Sequence, residues 1–306
     1  MQSVVFGPVI SRRFGVSLGV DLSPSVKQCN FDCLYCELEG KKAQNQMKEV
    51  LDLETLIQSV ISSLKKNPKI DVLTITANGE PTLYPYLYDF IKTIKPNLPQ
   101  EVSSLILSNG SKFGDEEVQK ALHLFDIVKF SLDGVDKKSF ERIDRPYRDI
   151  RIEDLLSGIE RFASIYKGEL VAEVLLVEGI NDGIENIRSI VEFLKRIEID
   201  RVDLGTIDRP PAYDANPLSY KRLLEIAKEF EGLYVSLPYR KENVNLVHQK
   251  YSKKDLIDLI ARRPISVIEA SNLFEDKALS YLEEFLFDKK IFIKKVANLE
   301  FYTIKD

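Results

Sequence analysis

A chain of 306 residues is about twice a typical domain, which leaves room for one barrel-sized unit and a small appendage. With 44% hydrophobic and 30% charged residues it has the make-up of a globular protein, which excludes a disordered, collagen-like or disulfide-stapled chain. Forty-three basic against 48 acidic residues leave a net charge of −5, which argues against a globally basic nucleic-acid binder. The best apolar run, Val171 to Val177, is interrupted by Glu173 and is far shorter than a membrane span. The opening MQSVVFGPVISRRFG lacks the basic-then-apolar order of a signal peptide, so the cytoplasm is the expected compartment.

Along the chain, short β-branched runs alternate with stretches of helical period. Strands are predicted at 16–21, 70–76, 103–108, 127–132, 170–177 and 201–206, and helices at 52–65, 84–95, 115–123, 137–143, 152–165 and 184–198. Leu53, Leu56, Ile57, Val60 and Leu64 form an apolar helix stripe. Leu105, Ile106 and Leu107, and then Val171, Val174, Leu175, Leu176 and Val177, are nearly continuous apolar runs, as parallel strands buried on both faces are. Repeated βα units predict an α/β fold with a parallel sheet, here an open partial (β/α)6 barrel.

From Tyr251 the texture changes. Helices are predicted at 253–262, 266–271 and 275–287, and two apolar runs, 291–293 and 301–304, flank Ala297-Asn298 as a hairpin. That order resembles a small winged-helix-like domain. The expected organisation is therefore a barrel over 1–235, a linker over 236–250 with a polar stretch from Arg240 to Asn245, and a C-terminal domain over 251–306. Leu256, Leu259, Ile260, Leu279, Leu282 and Leu286 offer it a satellite core. Glu283, Glu284 and Asp288 on the would-be recognition helix oppose phosphates, whereas Lys289, Lys290, Lys294 and Lys295 make the hairpin basic. Nucleic-acid contact is thus open but not favoured by charge, and protein contact or packing on the barrel fits better.

All three cysteines fall within eight residues, Cys29, Cys33 and Cys36, spaced C-x3-C-x2-C. An odd cluster this tight is a poor disulfide framework. A structural zinc site needs a fourth ligand, and the two histidines, His123 and His248, have no ligand-like neighbours. Three thiolates on an iron–sulfur cluster would leave one iron with an open position.

In barrels of this type chemistry sits at the C-terminal ends of strands. The cysteines follow the first predicted strand, Asn78-Gly79-Glu80-Pro81 the second, and Ser108-Asn109-Gly110 the third. Ser131-Leu132-Asp133-Gly134 closes the fourth, Glu178-Gly179-Ile180-Asn181-Asp182 follows the fifth, and Asp208-Arg209-Pro210-Pro211 the sixth. Each alone is ordinary turn chemistry. The signal is that all share one rim.

C-x3-C-x-Y-C, with Tyr35 before the last cysteine, resembles the cluster loop of the radical S-adenosylmethionine (SAM) enzymes, and N-G-E-P-T resembles that family's G-G-E-P loop with Asn78 in place of the first glycine. The strings GPVISRRFGVSLGVD, VKFSLDGVDKKSFERIDRP, LLVEGIND and RPPA resemble the group that includes the wyosine-type tRNA synthetases. The resemblance implies one 4Fe–4S cluster on Cys29, Cys33 and Cys36. The fourth iron is chelated by SAM, which an electron cleaves to a 5′-deoxyadenosyl radical. It further implies that Asn78, Gly79 and Glu80 hold the SAM amino group, because Glu80 can accept from an ammonium and Gly79 lets backbone approach. Ser108, Asn109, Ser131 and Asp133 match ribose- and carboxylate-binding groups, and Tyr35 an adenine contact. An electron donor such as flavodoxin or ferredoxin is implied, with an unknown substrate that is a small molecule, a peptide or RNA, and no membrane. The extra cysteines and the flavodoxin-like part of wyosine-forming relatives are missing from this chain.

Arg12, Arg13, Arg145, Arg148 and above all Arg209 are candidates for gripping anionic substrate groups, since guanidinium binds carboxylate and phosphate bidentately. No residue stands out as a general base. The competing class is a non-enzymatic iron–sulfur sensor that signals through the C-terminal domain.

Overall fold

The computed structural model describes residues 3–11, 13–237, 251–296 and 299–304. Arg12, His248, the polar stretch Arg240 to Asn245 and the Ala297-Asn298 turn lie outside the described residues.

The chain opens with β1 (Val5–Ser11), which pairs antiparallel with β2 (Gly15–Asp21). After β2 come α1 (Leu53–Lys66), β3 (Val72–Thr76), α2 (Leu87–Ile94), β4 (Ser103–Ser108), α3 (Glu116–Leu122) and β5 (Ile127–Ser131). Then follow α4 (Lys137–Ile143), α5 (Ile152–Ile165), β6 (Glu169–Leu176), α6 (Ile184–Arg196), β7 (Arg201–Thr206), α7 (Tyr220–Ala227) and β8 (Val235–Ser236). The strands form one eight-stranded sheet in chain order, parallel from β2 to β8. β2 to β7 are the six predicted strands, and the predicted helices between them are found within a few residues. This is the parallel, partly closed α/β architecture expected.

β1, α7 and β8 were not anticipated. β1 carries Gly7-Pro8 in its middle, and proline usually argues against a strand. Pro8 is tolerated because β1 is an edge strand whose register shifts between Phe6 and Val9.

Both faces of the parallel strands are covered, with period two. Leu73, Ile75, Ile106, Val128, Leu170 and Ala172 face the helices in one continuous core, where α1 seats Leu56, Ile57 and Val60. The alternate residues Val72, Leu105, Ile127 and Val171 close the floor of the barrel, with Phe14 against them. Above that floor, residues of the same inward series (Thr74, Thr76, Leu107, Lys129, Ser131, Glu173 and Leu175) line a cavity of about 500 Å³.

The C-terminal part contains α8 (Lys253–Arg262), β9 (Ile265–Ser266), α9 (Val267–Leu273), α10 (Asp276–Phe287), β10 (Phe292–Val296) and β11 (Leu299–Thr303). Its strands form an antiparallel sheet in the order β10-β11-β9. The three helices stand where they were predicted, but the core they form is not self-contained. Leu256, Leu259, Ile260, Phe274, Ala278, Leu282 and Phe285 bury Val9 of β1 among them, with Phe6 and Ile10 packed alongside. Tyr251 donates its hydroxyl to the carbonyl of Pro8 at 3.1 Å. Val296 and Phe301 pack with Ile143, Val177 and Ile207 at the rim. The C-terminal part therefore touches both the edge strand β1 and the rim of the open barrel. Among the described residues no helix is long and apolar enough to cross a membrane.

Candidate active site

The loop after β2 is stitched to its neighbours through its backbone. Gln28 N–H donates to the Asn78 carbonyl at 2.8 Å, and Glu80 N–H donates to the Gln28 carbonyl at 3.0 Å. Between them Gly79 has a φ of +142°, and a Cβ there would lie 1.9 Å from the Gln28 carbonyl oxygen. Only glycine permits this approach. Asp32 N–H and Leu34 N–H donate to the carbonyls of Asp144 and Ile143 at 3.0 and 2.9 Å, and Ala212 N–H donates to the Cys36 carbonyl at 2.9 Å. The cysteine loop is thereby fixed to the ends of β3, α4 and β7.

Cys29, Cys33 and Cys36 are free and half-buried, and all three line the cavity. Burial pushes the Cys29 thiol up to about 12, with Glu80 adding to it, and raises Cys33 and Cys36 as well. Beside them is a lysine that the sequence did not single out. Lys27 is 2% exposed, donates to the Glu39 carbonyl at 2.8 Å and pairs with Asp32 at 3.4 Å. Burial opposes its charge, but Cys36, Asp32 and Cys29 outweigh burial and hold it protonated. A buried ammonium beside two of the three sulfurs suits a loop that must carry thiolates. Among the described residues no three His, Cys, Asp or Glu side chains converge as a single ion requires. A polynuclear cluster, in which each iron takes one thiolate, makes no such demand, and metal charge is what ionises thiols buried this deeply.

Tyr35, Asn78, Gly79, Glu80, Ser108, Asn109 and Ser131 line the same cavity as the cysteines. Their jobs differ from a simple list of contacts. Glu80 is 1% exposed, and its Oε1 accepts from Thr82 N–H, Thr82 Oγ1 and Ser108 Oγ at 3.0, 2.6 and 2.8 Å. Its Oε2 accepts from Asn109 N–H at 2.7 Å. Burial raises its pKa against these bonds. Glu80 thus locks the loops after β3 and β4 together, and Oε2 alone keeps an acceptor position. Asn109 donates from Nδ2 to Asn30 Oδ1 at 2.7 Å and lies 3.9 Å from Cys29 Sγ. Asn78 Oδ1 is buried in the cavity wall without a partner.

Asp133 is not among the residues that line the cavity. Its carboxylate accepts from the Tyr35 hydroxyl at 2.6 Å and from Leu175 N–H at 2.7 Å. Burial raises its pKa to about 7. Asp133 thereby holds Tyr35, which does line the cavity. Asn181 likewise clamps, accepting from Val177 N–H and donating to the carbonyls of Asp133 and Leu175.

A family model described as the radical SAM superfamily matches residues 24–194, more than half of the chain. The chain belongs to the radical SAM superfamily. It is 54% identical over 300 residues to a UPF0026 protein of Helicobacter pylori, covering 98% of this chain and 97% of that one. A UPF0026 protein of Methanocaldococcus jannaschii is 35% identical over 215 residues, covering 69% of this chain and 65% of that one. Among solved structures, TYW1 with a lysine-pyruvate adduct bound aligns at 21% identity and a TM-score of 0.53, over 70% of this chain and 72% of that chain. At that identity the likeness is one of fold, and it agrees with the group that the sequence resembles.

The cavity is also lined by Glu37, Leu38, Ile207, Asp208, Arg209, Arg262 and Arg263. Arg209 pairs with Glu37 at 3.1 Å. Arg13 also lines the cavity, 3.1 Å from Asp203, but its Nε is not aligned for a hydrogen bond. Arg145 and Arg148 do not line it: Arg145 stacks on the Tyr213 ring at 4.3 Å, and the Arg148 side chain is 82% exposed. Sequence reasoning missed Arg262 and Arg263, which arrive from α8. Arg262 Nε pairs with the buried Asp21 at 3.0 Å and Nη2 donates to the Ser3 carbonyl, while Asp21 also accepts from Asn78 N–H at 2.8 Å. The SAM-loop candidate Asn78 and the C-terminal part thus meet on one carboxylate. No local sequence signal marks a pair 241 residues apart.

Proposed function

We propose that this chain is an enzyme that cleaves SAM reductively, with one 4Fe–4S cluster held by Cys29, Cys33 and Cys36, and uses the resulting radical on a substrate in the same cavity. The observation that carries the reading is the placement of all three cysteines, the Asn78-Gly79-Glu80 loop and the ends of β4 and β5 around one cavity of about 500 Å³. When bound, cluster and SAM supply the electron transfer and the radical. The protein's residues bind and orient. Oε2 of Glu80 and the unpartnered Oδ1 of Asn78 are acceptors for an ammonium, Ser131 offers a hydroxyl to a ribose, and Tyr35, fixed by Asp133, offers a ring face to adenine. The floor of Val72, Leu105, Ile127 and Val171 excludes water from below. A sensor has no use for such a chamber. The C-terminal part we read as a winged-helix-like domain, the reductant as a flavodoxin or ferredoxin, and the compartment as the cytoplasm.

Anaerobic reconstitution should give about four iron and four sulfide per chain. With dithionite and SAM, methionine and 5′-deoxyadenosine should accumulate. Replacing any one of Cys29, Cys33 or Cys36 by Ala should abolish iron retention. Protein that holds one zinc and no sulfide after anaerobic purification would sink the reading.

A further inference from the structure

Arg262, the last residue of α8, is buried and reaches the end of β2. Its Nε donates to Asp21 Oδ2 at 3.0 Å, and its Nη2 donates to the Ser3 carbonyl. The guanidinium also lies over the Phe6 ring, 5.5 Å from its centre. Asp21 closes β2 and is 1% exposed. Its other oxygen, Oδ1, accepts from Asn78 N–H at 2.8 Å and from Ser23 N–H at 2.9 Å. The bond to Asn78 extends the pairing of β2 with β3, in which Asp21 stands opposite Thr76. One carboxylate therefore holds the C-terminal part with one oxygen and the Asn78-Gly79-Glu80 loop with the other. The remaining fastenings of the C-terminal part lack this reach. Tyr251 bonds the Pro8 carbonyl, and the helices bury Val9, both on β1.

We infer that Arg262 and Asp21 are positioning residues for SAM: Arg262 aims the Asp21 carboxylate, Asp21 aims the Asn78 peptide, and docking of the C-terminal part thereby raises SAM affinity. The inference rests on the reading of Asn78 to Glu80 as the loop that takes the SAM amino group. The Asn78 peptide is gripped on both sides, because its carbonyl accepts from Gln28 N–H at 2.8 Å while its N–H is held by Asp21. Its Oδ1, buried without a partner, follows the direction of that peptide. Charge-assisted bonds in a water-poor site are strong and directional. A buried carboxylate stripped of its cation is left uncompensated and turns towards water, which redirects Oδ1 of Asp21. The path from α8 to the ligand is thus three contacts long: Arg262 to Asp21, Asp21 to Asn78, and Asn78 to SAM. By linkage the effect is mutual, so whatever docking of α8 adds to SAM binding, SAM adds to the docking.

The test is calorimetric titration of SAM into the full-length protein, reconstituted anaerobically and matched for iron and sulfide content. Arg262→Met should weaken SAM binding at least tenfold, and Arg262→Lys, which keeps the charge, should fall between that variant and the parent. Leu282→Ala opens the core that buries Val9, but Leu282 is not in the cavity wall. That variant should lose stability in denaturant unfolding and keep SAM affinity within twofold. Parental SAM affinity in Arg262→Met overturns the inference. So does a Leu282→Ala variant that weakens SAM binding as much as Arg262→Met, since the pair is then merely structural. Hydrogen exchange on the parent serves if Arg262→Met does not fold. SAM should slow amide exchange along α8 at least threefold, and exchange slowed in the loop after β3 but unchanged in α8 overturns the coupling. A reconstituted parent that binds no SAM removes the earlier reading and this one with it. A parent that binds and cleaves SAM beside an unaltered Arg262→Met removes this one alone.

Discussion

The two walls of the cavity are built by different chemistry. On the cysteine side the loops are joined by main-chain hydrogen bonds, from Gln28 to Asn78 and Glu80, from Asp32 and Leu34 to the end of α4, and from Ala212 to Cys36. Elsewhere round the cavity the contacts are side-chain ion pairs, Arg262 with Asp21, Arg209 with Glu37 and Arg263 with Glu269. Main-chain bonds are indifferent to side-chain identity except where a glycine is obligatory, as at Gly79. Ion pairs depend on identity at every position. The main-chain stitches are therefore a fixed mount, and the ion pairs are open to substitution except at Asp21, which also accepts from Asn78 N–H of the mount.

The largest effect that could break this contrast is deletion of residues 251–306. It strips the cover from Phe6, Val9 and Ile10 and leaves Asp21 buried without its arginine. The shortened chain should aggregate. A soluble shortened chain that still cleaves SAM would show the ion-paired wall to be dispensable. Next comes Arg262→Met. Removing one partner of a buried pair whose side chains are 7% and 2% exposed should cost about 3–5 kcal/mol in denaturant unfolding. Adding Asp21→Asn should recover part of that loss, and failure to recover it would mean that Arg262 acts by packing alone.

Gly79→Ala tests the other wall. Its positive φ alone costs a non-glycine residue about 1–3 kcal/mol, and the Cβ would push the Gln28 carbonyl away. SAM affinity should fall tenfold or more. Unchanged affinity would mean that the stitch between the two loops does not shape the binding site. A pH measurement sharpens the account of Asp133. Its folded pKa of about 7 lies above the ordinary carboxylate value, so folding favours the protonated acid. Its contribution is most favourable below about pH 4, declines as pH rises towards 7 and is flat above. Asp133→Asn should lose less stability than the parent between pH 4 and 7.5 in thermal melts, and parallel curves would remove the assignment.

The difference between the walls also decides what was legible in the sequence. The strands β2 to β7 and their helices announce themselves through continuous apolar runs and helix stripes, because burial on both faces leaves no other composition. The cysteines, Gly79 and Glu80 are legible because each must be that residue at that spacing. β1 was missed because Gly7-Pro8 contradicts a strand until the edge position and the shifted register excuse it. The bond from Tyr35 to Asp133 is not legible, because a carboxylate at a strand end looks the same whether it faces a cavity or a tyrosine hydroxyl. Lys27, Asp21, Arg262 and Arg263 were illegible for a common reason. Their meaning lies in partners supplied by loop packing or by the far end of the chain, and no local pattern encodes those partners.

The pairing of β1 with the C-terminal helices also sets an order of events during synthesis. The ribosome makes Phe6, Val9 and Ile10 well before their cover, since Asp21 and Arg262 are 241 residues apart. Domains form as the chain emerges, N-terminal parts first. The sheet from β2 to β8 can assemble, and the cysteine loop can be stitched, while the edge strand still waits with one face bare. A nascent chain stalled before α8 has a finished mount for the cofactor and an unfinished chamber. Arrival of α8 to α10 then covers the bare strand and delivers Arg262 and Arg263 in the same event, so the chamber closes only after those helices have been made.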